Sequence, residues 1–226
     1  KMIHDGVQII DVGGESTRPG SKKISEKEEL RRIKPIVDYV SKNKLYSRAI
    51  FSIDTHKARV AEYALTHNFT MINDVTALRG DPKMIDILLR YKSFIVIMYA
   101  KDKTPYTTYE KKEYIDIINT IKIFLKNRIR LLIQAGFPRE KIIIDPGMGA
   151  FISTNKKYSY EVIERLGELK SLGCPILLGI SRKLGTGTPE ERDRIALPLH
   201  KKAVDSGASI LRVHSWAPVL QTLHNL

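Results

Sequence analysis

The chain has 226 residues, 42% of them hydrophobic and 28% charged, a balance that suits one globular domain over residues 1–226. The formal net charge of +13 fits either an anionic ligand or a nucleic acid. The single cysteine, Cys174, excludes a disulfide framework within the chain and a cysteine-rich metal site, and it favours a cytoplasmic location. No apolar run approaches the ~20 residues of a membrane span, so we expect no membrane partner.

Short apolar runs alternate with longer amphipathic segments along the whole chain. The runs that we predict to be strands are Val7–Val12, Ala49–Ile53, Thr70–Ile72, Phe94–Met98, Ile142–Ile144, Ile176–Ile180 and Ile210–Val213. The segments that we predict to be helices are Glu26–Val40, His56–His67, Tyr114–Ala135, Tyr160–Leu172 and Glu190–Ser206. Strands that are apolar throughout indicate an α/β fold whose parallel sheet is buried on both faces.

Two α/β architectures fit this alternation: an open doubly wound sheet and a TIM (βα)8 barrel. Polar residues follow almost every predicted strand. In a barrel these strand ends converge on one mouth, whereas an open sheet would concentrate them near its switch point. We therefore favour the barrel. Since Lys1–Asp5 looks like the end of a helix, we expect the first strand and part of the first helix to be missing from this chain.

The polar strand ends predict a pocket for a planar heterocycle. Asp54, Asn73 and Asp145 offer two carboxylates and an amide, and buried carboxylates need partners such as ring N–H groups. Arg212 could lie against the ring through its guanidinium plane, and Lys183 could donate to a ring carbonyl. The residues expected to face an anionic or polar group at the rim are Thr17, Arg18, Ser181 and His214. Together these residues suggest a guanine-like or pterin-like ring joined to a phosphate-bearing group.

Each of these positions also has a purely structural interpretation. Asp54 could cap a helix, and Asn73 and Asp74 could be turn residues. Asp145-Pro146-Gly147 is an ordinary turn sequence, and His214 in isolation would more often support a structure than bind a ligand. The structural interpretation would have to hold at every one of these strand ends at once. It is therefore a weaker explanation than a shared ligand pocket.

Six segments in chain order resemble dihydropteroate synthase, the pterin-binding enzyme of folate biosynthesis. They are Asp11–Gly20, Ser52–Ala64, Ile72–Val75, Ile142–Gly149, Leu178–Lys183 and Ile210–His214. The run Gly-Gly-Glu-Ser-Thr-Arg-Pro-Gly in the first segment is highly specific. The resemblance implies a βα barrel that joins 4-aminobenzoate to 7,8-dihydropterin-6-ylmethyl diphosphate and releases diphosphate. It also implies Mg²⁺ as cofactor and a homodimer.

The resemblance assigns a role to each candidate site residue. The residues of the pterin pocket are Asp54, Asn73, Asp145 and Lys183, and the catalytic set is Asp54, Asp145, Lys183 and Arg212. The other substrate-binding residues are Met98, Arg212 stacked on the pterin, His214 as an anion contact, Thr17 and Arg18 as a cover over diphosphate and aminobenzoate, and Ser181 in the aminobenzoate site. We interpret Asp11 and Glu15 as groups that hold the base of this cover against basic residues.

The chain departs from the family pattern in three places that matter for the site. The family's Asn-x-Thr-Pro-Asp-Ser-Phe loop, which supplies a magnesium ligand, is absent, so no metal ligand can be named. After Lys183 the chain continues Leu184-Gly185-Thr186-Gly187, which is shorter than the family's loop and leaves the covalent continuity after Lys183 in question. The pocket-lining aromatic, Phe151, is expected one position away from its place in the family.

Two further functions remain open from the sequence. A sister pterin-binding barrel transfers a methyl group from methyltetrahydrofolate, but that reaction has no diphosphate or aminobenzoate for the Ser-Thr-Arg-Pro-Gly loop to hold. A non-catalytic barrel that binds nucleic acid would use the net positive charge. Because the lysines are scattered along the predicted helices, we expect no nucleic-acid partner.

Overall fold

Parallel strands and α-helices alternate along the chain. The computed structural model describes residues 1–180, 184 and 188–224. The strands are β1 (Ile9–Gly13), β2 (Ile50–Asp54), β3 (Met71–Asp74), β4 (Phe94–Met98), β5 (Ile142–Asp145), β6 (Leu177–Leu178) and β7 (Ile210–Leu211). The helices are α1 (Glu26–Lys42), α2 (Ala58–Thr66), α3 (Met84–Tyr91), α4 (Ile117–Gln134), α5 (Lys156–Glu164), α6 (Pro189–Asp205) and α7 (Trp216–His224). Among the described residues no helix is long and apolar enough to cross a membrane.

The strands follow one another in space in the same order as in the chain. Strands β1 to β5 form one parallel sheet, β6 and β7 form a parallel pair, and a bridge between Ile144 and Ile176 joins the two groups. This is the strand order of a TIM barrel, which confirms the predicted fold class. Within the described ranges β1 and β7 do not pair with each other.

Alternate residues of each strand face the barrel interior, because side chains in a strand point to opposite faces with a period of two. The interior is filled by Met71, Val96, Ile143 and Leu177, with Ile9 and Ile210 packed against them. The other residues of the same strands pack against the helices in the larger outer core. Both faces are therefore apolar, which is why the strands read as continuous apolar runs.

The structure corrects two predicted elements and adds two helices. The single helix expected over 160–172 is helix α5 followed by a 3-10 helix over Leu166–Leu172; its leucines at 166, 169 and 172 are all buried, a spacing of three that suits the 3-10 period. Lys1–Asp5 makes only a turn, closed by a bond from the Asp5 N–H to the Lys1 carbonyl. Helices α3 and α7 are additions to the predicted helices.

Candidate active site

Arg212 connects the first two strands across the mouth of the barrel. Its Nε donates to Asp11 Oδ2 and its Nη2 donates to Asp54 Oδ2, both at 2.8 Å. Asn73 Nδ2 donates to the same Asp11 oxygen at 2.9 Å. The register of the sheet explains why these side chains lie together. Asp54 lies opposite Asn73 in the parallel ladder, and Asp11 faces the barrel interior because it is two residues from the inward-facing Ile9. Three of the predicted pocket residues therefore lie together.

The charged groups around Arg212 shift one another's pKa values. Burial raises the pKa of the Asp54 carboxyl well above its usual range; the carboxylates of Asp11 and Glu29 add to this effect, and the Arg212 guanidinium opposes it. Burial lowers the pKa of Arg212, but the Asp54 and Asp11 carboxylates outweigh it and raise that pKa overall. Arg212 is thus held as a cation, whereas Asp54 takes up a proton more readily than an exposed aspartate.

A cavity of about 320 Å³ opens beside this network, a size that suits a small heterocyclic ligand. Its polar wall includes Asp11, Asn73, Arg212 and His214, and apolar interior side chains such as Met71 form its floor. Within the described part of the chain, Asp11 Oδ1 is buried and has no hydrogen-bond partner. The cavity therefore joins an apolar floor to acceptors that could bind ring N–H groups.

Asp145 ends β5 and makes the turn interaction that the sequence allows for it. Its Oδ1 accepts from the Gly147 N–H at 2.7 Å, which is the turn interaction. Gly147 has a φ of +72°, and a Cβ there would lie 2.3 Å from the Tyr99 carbonyl oxygen, so only glycine fits this turn. Asp145 also lies near enough to Arg212 to attract it.

Met98 faces the same mouth from the neighbouring strand. It lies opposite Asp145 in the ladder and packs with Val75 and Ala100, against which Phe151 rests. These apolar side chains form one wall beside the carboxylates. Phe151 therefore lies next to the site although its position in the sequence is shifted.

The opening loop, residues 13–25, reaches across the mouth to the far side. Arg18 Nη2 lies 3.5 Å from His214 Nε2, and both side chains are exposed. The Thr17 carbonyl accepts from the Thr107 N–H at 3.2 Å. Thr17 and Arg18 are thus placed at the rim, where the sequence predicts an anionic group.

Glu15 holds the base of this loop, as interpreted from the sequence. Lys57 Nζ donates to Glu15 Oε2 at 2.7 Å and also to Glu29 Oε2. The Glu15 and Glu29 side chains are only 3% and 1% exposed, so this is a buried ion-pair triad. Asp11 differs from the interpretation, because it lies in the pocket and not in this cluster.

Replacing Lys57 by alanine is expected to lower the free energy of unfolding by about 3–5 kcal/mol, because two buried carboxylates would then face each other without a cation. Urea unfolding measures the change. Lys27, which is exposed on α1, provides the control, and its replacement by alanine is expected to change stability by less than about 0.5 kcal/mol. Equal stabilities of the two variants would contradict the role of Lys57.

The structure decides whether Asp54 and Asp74 serve the pocket or only the local backbone. Asp54 is not a helix cap, since α2 begins after Lys57 and the Ala58 N–H donates to Asp81. Asp74 is a turn residue that accepts from the Thr76 and Leu78 N–H groups. Asp74 points away from the barrel interior, because it directly follows the inward-facing Asn73 and successive side chains in a strand point to opposite faces. The predicted site residues Ser181 and Lys183 lie outside the described residues.

The comparisons with known proteins agree with this geometry. Residues 1–214 match the family described as pterin binding enzyme. The chain belongs to the pterin-binding enzyme family. The dihydropteroate synthase of Streptococcus pyogenes serotype M3 is 36% identical over 221 residues, which cover 95% of this chain and 78% of that protein.

Two solved structures of pterin-binding enzymes have the same fold. Xanthomonas albilineans dihydropteroate synthase with 4-aminobenzoic acid matches with a TM-score of 0.89 and 32% identity, covering 99% of this chain and 80% of that one. The same enzyme in complex with 7,8-dihydropteroate matches with a TM-score of 0.85 and 30% identity, covering 99% and 82%. The family predicted from the sequence is confirmed.

Sequence reasoning misses the position of Asp11 beside the cavity and the contact made by Tyr106. The sequence predicts Asp11 under the loop, whereas it accepts from both Asn73 and Arg212. The Tyr106 hydroxyl donates to Glu15, a contact that no sequence pattern indicates. For Asp11, no sequence signal fixes the face, because β1 is apolar on both faces; the register of the sheet shows that Asp11 faces inward with Ile9.

Proposed function

We propose that this chain is a dihydropteroate synthase, which condenses 7,8-dihydropterin-6-ylmethyl diphosphate with 4-aminobenzoate to give 7,8-dihydropteroate and diphosphate. The observation that carries the proposal is the pair of hydrogen bonds from the Arg212 guanidinium to the carboxylates of Asp11 and Asp54. A cation is thereby placed between acceptors for a ring and the rim where an anion would leave. The named relatives support the same reaction.

The pterin ring would occupy the cavity beside Asp11 and Asn73. Its N–H and amino groups are donors. The cavity would offer them Asp11 Oδ1, which has no hydrogen-bond partner among the described residues, and the carboxylates of Asp54 and Asp145 end neighbouring strands at the same mouth. Lys183 would donate to the ring carbonyl, and Met98 would contact the ring from its apolar wall. Because the floor is apolar, a flat ring would bury its faces there while its edges bind the polar wall.

The reaction exchanges one bond at the methylene carbon. The bond from that carbon to the diphosphate oxygen breaks, and the electron pair leaves with diphosphate. The resulting cation is delocalised over the pterin, and the carboxylates of Asp54 and Asp145 stabilise it. Arg212, Arg18 and His214 stabilise the departing negative charge. The arylamine nitrogen then attacks the carbon and gives up a proton to the released diphosphate or to water. The resemblance assigns Thr17 and Ser181 to the arylamine.

Mg²⁺, implied by the resemblance, stays a prediction. In the described ranges, no three His, Cys, Asp or Glu side chains come together as metal ligands, and Asp11 and Asp54 already hold Arg212. The described residues therefore do not fit a magnesium site, and no step of the proposed reaction uses the ion. The synthase assay run with MgCl₂ and with EDTA tests the requirement. The cytoplasmic location and the homodimer also stay predictions.

We expect the affinity for the pterin to fall as the pH drops through the raised pKa of Asp54. The ionised carboxylate accepts two ring donors and the protonated acid does not, so affinity declines by about tenfold for each pH unit below that pKa. Calorimetric titration with a pterin over a pH series measures this. The Asp54→Asn variant is expected to bind weakly and without this pH dependence. A wild-type affinity that is constant across the same series would contradict the role of Asp54.

A direct assay tests the proposed activity. Purified protein is incubated with dihydropterin diphosphate and 4-aminobenzoate, and the formation of 7,8-dihydropteroate is followed. A methyltransferase would give no such product but would demethylate methyltetrahydrofolate, and a nucleic-acid-binding barrel would bind DNA in a salt-dependent way without turnover. No observation in the structure favours either of these functions over the synthase.

A further inference from the structure

The loop between β4 and α4 forms a rigid platform beside the mouth of the barrel. The Lys101 side chain is fully buried and its Nζ donates to Asp102 Oδ2 and Thr108 Oγ1, both at 2.6 Å. The Lys101 N–H donates to the Phe151 carbonyl at 2.8 Å, and Thr107 Oγ1 donates to the Ala150 carbonyl at 2.8 Å. The platform, residues 101–108, is thus fixed both internally and to the loop after β5.

Two bonds join this platform to the opening loop. The Tyr106 hydroxyl donates to Glu15 Oε1 at 2.5 Å, and the Thr107 N–H donates to the Thr17 carbonyl at 3.2 Å. The same Glu15 oxygen accepts from the Ile24 N–H at 2.9 Å. Glu15 therefore ties the start of the opening loop, its end and the platform to one carboxyl group.

The ionisation of Tyr106 and Glu15 favours a persistent hydrogen bond between them. Burial and the hydrogen bond to the Glu15 carboxylate raise the pKa of the Tyr106 phenol, so its proton stays in place as a donor. Burial opposes ionisation of Glu15, but its bonds from Ile24, Lys57 and Tyr106 lower its pKa overall, so it stays an acceptor. A hydrogen bond to a charged group is among the stronger ones in proteins.

We propose that Tyr106 is a positioning residue that holds the opening loop, and with it Thr17 and Arg18, over the diphosphate end of the pocket. The proposal rests on the proposed function, because Thr17 and Arg18 have this role only in the synthase reaction. Tyr106 acts through Glu15 and touches no substrate. Its effect should therefore appear in the part of the affinity that the diphosphate group contributes, and not in binding of the ring.

The Tyr106→Phe variant tests this assignment, since it removes one hydroxyl and keeps the ring. Calorimetry compares the affinities for dihydropterin diphosphate and for the same pterin without diphosphate. We expect the first affinity to fall roughly 5- to 20-fold, as for loss of one charge-assisted bond, and the second to change less than about twofold. The matched control is Tyr109→Phe, because Tyr109 lies in the following residues and is 75% exposed.

Limited trypsin digestion supplies a readout that does not need activity. Lys22 and Lys23 are exposed in the opening loop, and cleavage after them should be several-fold faster in Tyr106→Phe than in wild type or in Tyr109→Phe. An unchanged cleavage rate, or an equal loss of both pterin affinities, would overturn the proposal. If the wild type makes no dihydropteroate, the proposed function fails, and the cleavage rate still decides whether Tyr106 holds the loop.

Discussion

Replacing Arg212 by alanine is expected to lower kcat/KM for dihydropteroate formation by about 10³-fold while the protein stays folded. The variant loses the only described cation that contacts both Asp11 and Asp54. The two carboxylates would then share protons, and the leaving diphosphate would lose the Arg212 guanidinium and keep only Arg18 and His214. Steady-state kinetics with both substrates measures the effect, and a melting curve checks the fold.

Two further variants test the cause of this loss of kcat/KM. Arg212→Lys keeps the charge but cannot make the planar fork to two carboxylates, so we expect it to recover only part of the activity. Arg130→Ala, on the exposed face of α4, is the control and should keep wild-type kinetics. Near-normal kcat/KM in Arg212→Ala would refute the role of this residue.

Replacing Asp145 by asparagine is expected to weaken pterin binding roughly 10- to 100-fold, the value of a charge-assisted hydrogen bond to a buried ligand. The change is nearly isosteric, and the amide oxygen can still accept from the Gly147 N–H, so the turn after β5 should persist. What is lost is the negative charge that would face the ring donors. Calorimetry with a pterin measures the affinity.

The matched control for Asp145 is Asp86→Asn on the exposed face of α3. It removes the same charge far from the cavity and should leave the pterin affinity unchanged. An Asp145→Asn protein that binds the pterin as tightly as wild type would show that Asp145 serves only the turn. Loss of the fold in that variant would also count against the ligand role, because it would make the turn the main function.

The sequence by itself predicted the barrel and most of the candidate pocket. It could do so because parallel strands bring their carboxyl ends to one edge, so the polar strand-end residues Asp54, Asn73 and Asp145 had to meet. The Gly-Gly-Glu-Ser-Thr-Arg-Pro-Gly run determined the family by its specificity. Neither inference needed a knowledge of side-chain contacts.

The tertiary structure decided which face each strand residue takes. In a strand that is apolar on both faces, the hydrophobic pattern does not show which residues face the barrel interior. From the sequence alone, Asp11 could therefore face inward or outward. Register fixes it: Asp11 shares its face with Ile9 in the barrel interior, and Asp74 takes the face opposite to that of Asn73. For this reason Asp11 joins the candidate pocket, and Asp74 stays outside it as a turn residue.

The long-range contacts were also beyond the sequence. Arg212 meets Asp11 across 201 residues, and Tyr106 meets Glu15 across 91. Helical and strand periodicity describe neighbours a few residues apart, whereas these pairs depend on how the barrel curves and where two loops cross. The sequence thus determined which chemical groups stand at the mouth, and the fold determined which of them hold one another there.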